Sequence, residues 1–316
     1  VEFEEEEQNP ATANALARLA ADNRSGAAEL LRQAEHVLAT LQTDQDASTG
    51  TTRILSAAVA MTRAQPEMAP IANLASHILN ILEANPGAAS PVELARQAAR
   101  DFCKAASSAA TATIAHAFST INDQAKVLIH SRSSTVLEVL RAARLAGRRF
   151  SVVATEGRPV LEGRSMAEDL IGCAESILFV VDAAAAFAMN DVDLVLFGAD
   201  RVTPSYLVNK IGTEMIALAA RERRVPVVAV CDTSKFINSA SPIERPSTTR
   251  AGDEVWPSAP AGVRILNRYF EPVPIDYITA VITEHGRLSP SEAVSLARTK
   301  PLHPVIVEAI WAGSTD

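Results

Sequence analysis

Basic charge, cysteine, aromatic rings and long hydrophobic runs are all in short supply in this chain of 316 residues. Three cysteines, Cys103, Cys173 and Cys231, are too few and too scattered for a disulfide framework. The six histidines do not cluster with them at metal-ligand spacing, so neither a metal nor a cofactor is expected. Lys and Arg number 29 against 37 Asp and Glu, giving a net charge of −8 with no basic stripe. Contact with a phosphate backbone depends on clustered Lys and Arg, so no direct nucleic-acid binding is expected. A small anionic ligand stays open, because one pocket can be basic on an acidic surface. No apolar run reaches membrane-spanning length, since Asp182 interrupts "SILFVVDAAAAFAM". The opening "VEFEEEEQNP" is acidic, the opposite of a signal n-region. A soluble, reducing, cytoplasmic setting without membrane contact is the expectation.

What the chain does have is alanine and rhythm. Hydrophobic residues reach 48% with aromatics at 4%, which favours close-packed helices over disorder. From about residue 11 to 120, stretches such as "SGAAELLRQAEHVLATLQT" and "MAPIANLASHILNILEAN" carry apolar residues three and four apart. "SPVELARQAARDFCKAASSAATATIAHAFSTI" predicts a long helix with Ser90 as cap and Pro91 in the first turn. After residue 125 short apolar runs alternate with helical stretches: "KVLIH", "RRFSVVATE", "SILFVVDA", "VDLVLFGAD" and "VPVVAVCDT". This alternation predicts an α/β fold, a helical N-terminal domain (1–120, with its acidic tail) followed by a Rossmann-like parallel sheet (121–316) with helices on both faces. "NSASPIERPSTTRAGDEVW" is polar and proline-bearing, and is expected to be a long surface loop.

Ligands of such sheets bind outside the carboxyl ends of the strands. The residues after each run are Ser131 and Arg132, Thr155 to Pro159, Asp182, Gly198 to Arg201, and Cys231 to Lys235. All five ends are polar or ionisable. "HSRSST", residues 130 to 135, opens a helix with four hydroxyls and an arginine. Capping needs one hydroxyl; the surplus, with Arg132 and Ser133, suits a phosphate at a helix start. Asp200 of "GADRV" follows an apolar strand, where burial can raise a carboxyl toward a range useful for proton transfer; a helix cap or a salt bridge to Arg201 is the plainer alternative. Asn209 and Lys210 of "NKIGT", expected at a helix opening, can hold a sugar hydroxyl and a phosphate, although a lone lysine there is usually solvated. No Gly-x-Gly-x-x-Gly follows a strand, and Gly-x-Ser-x-Gly is absent.

"ATEGRPVLEGRSMAEDL", "VVDAA", "VDLVLFGADRV" and "NKIGTEMIALAARERRVPVVAV" resemble, in order and spacing, one family. It comprises the alpha, beta and delta subunits of translation initiation factor 2B and its enzymatic relatives, methylthioribose-1-phosphate isomerase and ribose-1,5-bisphosphate isomerase. The similarity runs well from about residue 120 to 287 and is weaker over the helices, where "NRSGAAELLRQA" is similar to an early helix start. The resemblance implies a homodimer or larger homo-oligomer and a pocket for a phosphorylated ribose. It also implies a catalytic carboxyl at Asp200, substrate contacts at Asn209 and Lys210, and phosphate contacts at Arg158 and Arg24.

The isomerases carry cysteine directly after the histidine of the first strand end; here the residues are His130-Ser131-Arg132. Serine lacks the thiol's accessible pKa of about 8.5. Ser131 therefore separates two readings. One is an isomerase that interconverts an aldose 1-phosphate and a ketose phosphate. The other is a non-catalytic regulatory subunit that senses a phosphosugar or a nucleotide.

Overall fold

The computed structural model describes residues 9–43, 46–238 and 249–312, with side chains to residue 310. The acidic tail over 1–8 and the centre of the polar 238–256 loop lie outside the described residues. The chain divides into two compact units, Val1–Ser108 with Lys300–Asp316, and Ala109–Thr299. The division falls inside a long helix, and the last residues group with the helical unit, not with the sheet that precedes them in sequence.

The helical unit contains α1 (Pro10–Ala21), α2 (Ala27–Ala39), α3 (Ala47–Ala64), α4 (Ala69–Ala84) and the first part of α5 (Pro91–Ala117). Local chemistry sets the starts. Asn9 accepts from Thr12 N at 2.9 Å with Pro10 in the first turn, and Asp46 accepts from Ser48 N and Thr49 N. The inward stripes, among them Leu19, Leu30, Leu38, Ile54, Met61, Ile71, Leu74 and Ile78, are buried. Burying side chains of this size stabilises by about 1.5–3 kcal/mol each before chain entropy opposes it. Near the end of the chain, His303 donates its backbone N–H to Ser76 Oγ, and its ring meets Glu83 at 2.9 Å.

The second unit follows the order β1 (Ala125–Ile129), α6 (Ser134–Leu145), β2 (Phe150–Thr155), α7 (Glu162–Asp169), β3 (Ser176–Val180), α8 (Ala185–Ala188), β4 (Leu194–Phe197), β5 (Arg201–Val202), β6 (Tyr206–Lys210), α9 (Thr213–Glu222), β7 (Val227–Val230), β8 (Phe270–Pro274), β9 (Ala280–Thr283), β10 (Gly286–Leu288) and α10 (Pro290–Arg298). A last helix, α11 (Pro304–Ala312), follows in the first unit. Seven strands form one sheet in the order β10-β9-β7-β4-β1-β2-β3, parallel except for β10. Alternate side chains serve opposite faces. Val127 and Ile129 pack with Val136, Leu140 and Met166, from α6 and α7. Leu128 lies in the other cluster with Ile216, Ala220 and Ala293, from α9 and α10. Helices therefore cover both faces, as the continuous apolar runs require.

Two features differ from the sequence expectation. β5, β6 and β8 form a separate antiparallel sheet, and Asn209 and Lys210 are the last residues of β6; the helix opens only at Thr213. β3, whose apolar run reads like a buried strand, is the sheet's edge and leaves Leu178 and Phe179 exposed.

Candidate functional site

β1 lies between β2, its sequence neighbour, and β4, so the strand order reverses between β1 and β4. The carboxyl ends of these strands are where such sheets open a crevice for ligands. At that point Gly198, just after β4, lies against Ser133, just after β1. A Cβ on Gly198 would stand 2.5 Å from Ser133 Oγ, so a side chain there would force Ser133 aside. Ser133 is the cap of α6 and accepts from Val136 N at 3.3 Å.

Ser131 has φ +65, a left-handed conformation that costs a non-glycine residue free energy. Its hydroxyl donates to Glu162 Oε1 at 3.1 Å. Leu161, directly before Glu162, is also left-handed at φ +66. After it, Gly163 presses the start of α7 onto the end of β2; a Cβ there would sit 1.9 Å from the Thr155 carbonyl oxygen. These constraints fix Glu162 at the strand ends.

The same Glu162 Oε1 forms an ion pair with Lys210 Nζ. The Lys210 side chain is only 4% exposed, and its ammonium stands 4.9 Å from the Tyr269 ring centroid. Glu162 Oε2 is buried and has no hydrogen-bond partner among the described residues. A buried acceptor left unsatisfied costs about 1–3 kcal/mol, and more when charged. The Tyr269 hydroxyl donates to Glu254, and the Arg250 guanidinium carbon lies 5.1 Å from the ring centroid.

His130 closes the floor of this cluster. Its Nε2 meets the Ile211 carbonyl at 2.8 Å, so that nitrogen carries the proton, and Nδ1 accepts from Thr155 Oγ1 at 2.6 Å. Burial holds the imidazole below its usual pKa against the opposing Ile211 carbonyl and Asp182 carboxylate. Asp182 also accepts from Gly157 N at 2.9 Å and Arg158 N at 2.7 Å, which fixes the loop after β2.

The remaining expected residues are placed as follows. Arg158 is exposed, and its guanidinium donates to the Val255 carbonyl at 3.2 Å. Arg132 pairs with Asp169 at 2.8 Å on the surface. Asn209 is buried and donates its amide to Thr213 Oγ1 at 2.9 Å. Asp200 starts the link into the small sheet, its N–H donating to the Val208 carbonyl at 2.9 Å. The Asp200 carboxylate is also one of the charges that disfavour a Cys231 thiolate, which sets it toward the β7 end. Arg24 is exposed in the helical unit, before α2. Ser131 and Lys210 thus meet on one carboxylate, whereas Arg132 and Arg158 turn to other partners.

Sequence reading missed Glu162 and Glu271. Glu162 stands in plain view in "VLEGRS", but its partners are distant in sequence and no motif marks it. Glu271 accepts from Gly212 N and Glu214 N, both at 2.8 Å, and so occupies the start of α9 where an anion would otherwise be favoured. Burial pushes its carboxyl above the usual range, opposed by those two N–H donors. Cys231, at the end of β7, has its thiol pushed up to about 12 by burial, so it supplies no thiolate near neutral pH.

The fold and this crevice define a two-unit α/β protein with a Rossmann-type strand order and an ionisable cluster at the strand-order reversal. The chain belongs to the Initiation factor 2 subunit family, which matches residues 11–290. It is 37% identical over 182 residues to the ribose 1,5-bisphosphate isomerase of Archaeoglobus fulgidus, covering 55% of this chain and 56% of that protein. It is 28% identical over 273 residues to a putative translation initiation factor eIF-2B subunit 2-like protein of Pyrococcus horikoshii, covering 84% and 91%. The crystal structure of translation initiation factor eIF-2B from Pyrococcus horikoshii OT3 superposes with a TM-score of 0.76 at 25% identity, covering 90% of this chain and 98% of that one. The chain spans little more than half the length of the ribose 1,5-bisphosphate isomerase it matches. Among the described residues, no helix is long and apolar enough to cross a membrane.

Proposed function

We propose that this protein binds a phosphorylated ribose at the carboxyl ends of β1, β2 and β4 and interconverts an aldose 1-phosphate with a ketose phosphate. The observation that carries the reading is the cluster of half-buried Ser131 and Glu162 on buried Lys210 at the carboxyl ends of the strands. Relatedness to ribose 1,5-bisphosphate isomerase supports the substrate class. A sugar phosphorylated at C1 opens its ring only when an acid protonates the ring oxygen, and Asp200 takes that role. Lys210 and Asn209 bind sugar oxygens. Arg158, with Ser133 at the start of α6, serves the phosphate group. No metal or organic cofactor enters this chemistry.

The exposed Leu178 and Phe179 on edge strand β3, with Phe187 nearby in sequence, support a homodimer. Sedimentation equilibrium tests that assembly: a monomer at all concentrations rejects it.

A second reading rests on Ser131. Serine stands where the resembling isomerases have cysteine, and the eIF-2B-like relative matches over far more of the chain than the isomerase does. On this reading the pocket senses a phosphosugar or nucleotide without turnover. Incubation with ribose 1,5-bisphosphate, followed by phosphorus NMR and calorimetry, separates the two. Turnover supports the isomerase; binding without turnover supports the sensor; no binding rejects the phosphosugar in both.

A further inference from the structure

Among the described residues, Glu162 has one oxygen with two partners and a second with none. Oε1 accepts from the Ser131 hydroxyl and pairs with Lys210, while Oε2 is buried without a hydrogen-bond partner. An ion pair built only to hold Lys210 in place is complete with Oε1. The second oxygen keeps its lone pairs, at the carboxyl ends of β1 and β2, beside the residue that stands where the isomerases carry a thiol. Ser131 itself has no group that titrates near neutrality. The neighbouring carboxylate can take up a proton and return it.

We infer that Glu162 carries the proton between C2 and C1 of the sugar, with Ser131 and Lys210 as positioning residues. The inference rests on the reading of this site as a ribose 1-phosphate isomerase. In the first step Glu162 Oε2 takes the proton from C2. The C2–H electron pair forms the C1–C2 double bond, the bond from C1 to the ring oxygen breaks, and the ring oxygen takes the Asp200 proton. In the second step the protonated Glu162 gives its proton to C1 through the electrons of the double bond. The O–H pair of the C2 hydroxyl becomes the new carbonyl bond, and that proton returns to Asp200. Both carboxyl groups end as they began, and no oxidant or reductant is consumed. Ser131 holds Oε1 by its hydrogen bond. Lys210 pairs with the same oxygen and holds the carboxylate in place.

The test uses the full chain with ribose 1,5-bisphosphate in deuterated water, read by NMR, with affinity from calorimetry. Wild type is expected to bind, turn over and place solvent deuterium at C1 of the ketose, because a carboxylic acid proton exchanges with water. Glu162→Gln keeps the shape and removes the base. It is expected to bind within about threefold of wild type and to lose kcat by about 10²- to 10⁴-fold, the range of a general base. Glu162→Asp, which keeps a carboxyl group, is expected to recover part of the rate and covers the case in which the glutamine variant does not fold. Wild-type kcat in Glu162→Gln overturns the inference. Wild type that binds without turnover also overturns it, yet leaves the pocket as a phosphosugar site. Wild type that binds no phosphosugar overturns the underlying reading and the inference together.

Discussion

Lys210→Met tests whether the Lys210–Glu162 pair is a structural necessity of the crevice. The ammonium is nearly inaccessible, with 4% of the Lys210 side chain and 16% of the Glu162 side chain exposed. Methionine keeps most of the volume and deletes the charge, leaving Glu162 with one oxygen held by Ser131 and the other without a partner. Breaking a buried pair by removing one member costs about 3–5 kcal/mol, mostly from the charge left behind. For a domain of 150–250 residues, each kcal/mol moves Tm by about 2–4 °C, so a fall of roughly 6–20 °C is expected. Adding Glu162→Gln removes the stranded charge. The double variant is expected to regain most of the loss, because replacing both members of a buried pair is often close to neutral. Differential scanning calorimetry reads both variants. A single variant that melts with wild type, or a double variant as unstable as the single, refutes this account of the pair.

Burial depresses the His130 pKa, so the unfolded chain binds a proton that the folded one refuses below about pH 6.5. Stability is therefore expected to fall as pH drops through that value, and His130→Asn is expected to lose this dependence in urea titrations at pH 5 and 7. Cys231, with its thiol pushed up to about 12, is expected to resist iodoacetamide at pH 8 in the native protein and to react after denaturation, as peptide mapping reports. Its raised pKa also makes the unfolded chain release a proton first, so its contribution to stability declines as pH rises above about 8.5. Arg158→Ala is expected to weaken ribose 1,5-bisphosphate binding about 10-fold or more by calorimetry while Tm stays within a few degrees, since a charge-assisted contact is lost and only an exposed group is removed. Unchanged affinity removes Arg158 from the phosphate site.

Much of the second unit was legible because a covered parallel sheet needs apolar runs with helices between them, and "KVLIH", "VDLVLF" and "VPVVAV" are such runs. Their polar ends were legible for the same reason: side chains beyond a strand's carboxyl end leave the core. The small antiparallel sheet was hidden. β5 has two residues, and β8 reads "FEPVP", with prolines that argue against a strand until it proves to be an edge of its sheet. Lys210 was found but given to a helix start, because its strand and its partner were both out of view. β3 failed in the opposite sense, since an apolar run does not state whether it lies inside a sheet or at its edge.

The carboxylates that sequence reading passed over change what the expected cations can do. Lys210 already faces Glu162, Arg132 already faces Asp169, and the start of α9 already holds Glu271. A phosphate dianion arriving at any of these meets a fixed negative charge before it meets the cation. At an effective dielectric of about 20, two unit charges 4 Å apart interact by about 4 kcal/mol, enough to offset the attraction of the matched cation. Sugar hydroxyls suffer no such penalty, because they donate to carboxylates and accept from lysine. The proposed site therefore divides by chemistry. The Ser131–Glu162–Lys210 floor suits the carbon and hydroxyl end of the ligand. Arg158, whose guanidinium rests on a neutral carbonyl, meets no such carboxylate among the described residues and suits the phosphate. That division also explains why a buried lysine and a half-buried glutamate are held together at the strand ends, where the lysine alone would be costly. Together they form a neutral polar floor on which a hydroxylated ligand can exchange hydrogen bonds without first displacing a counterion.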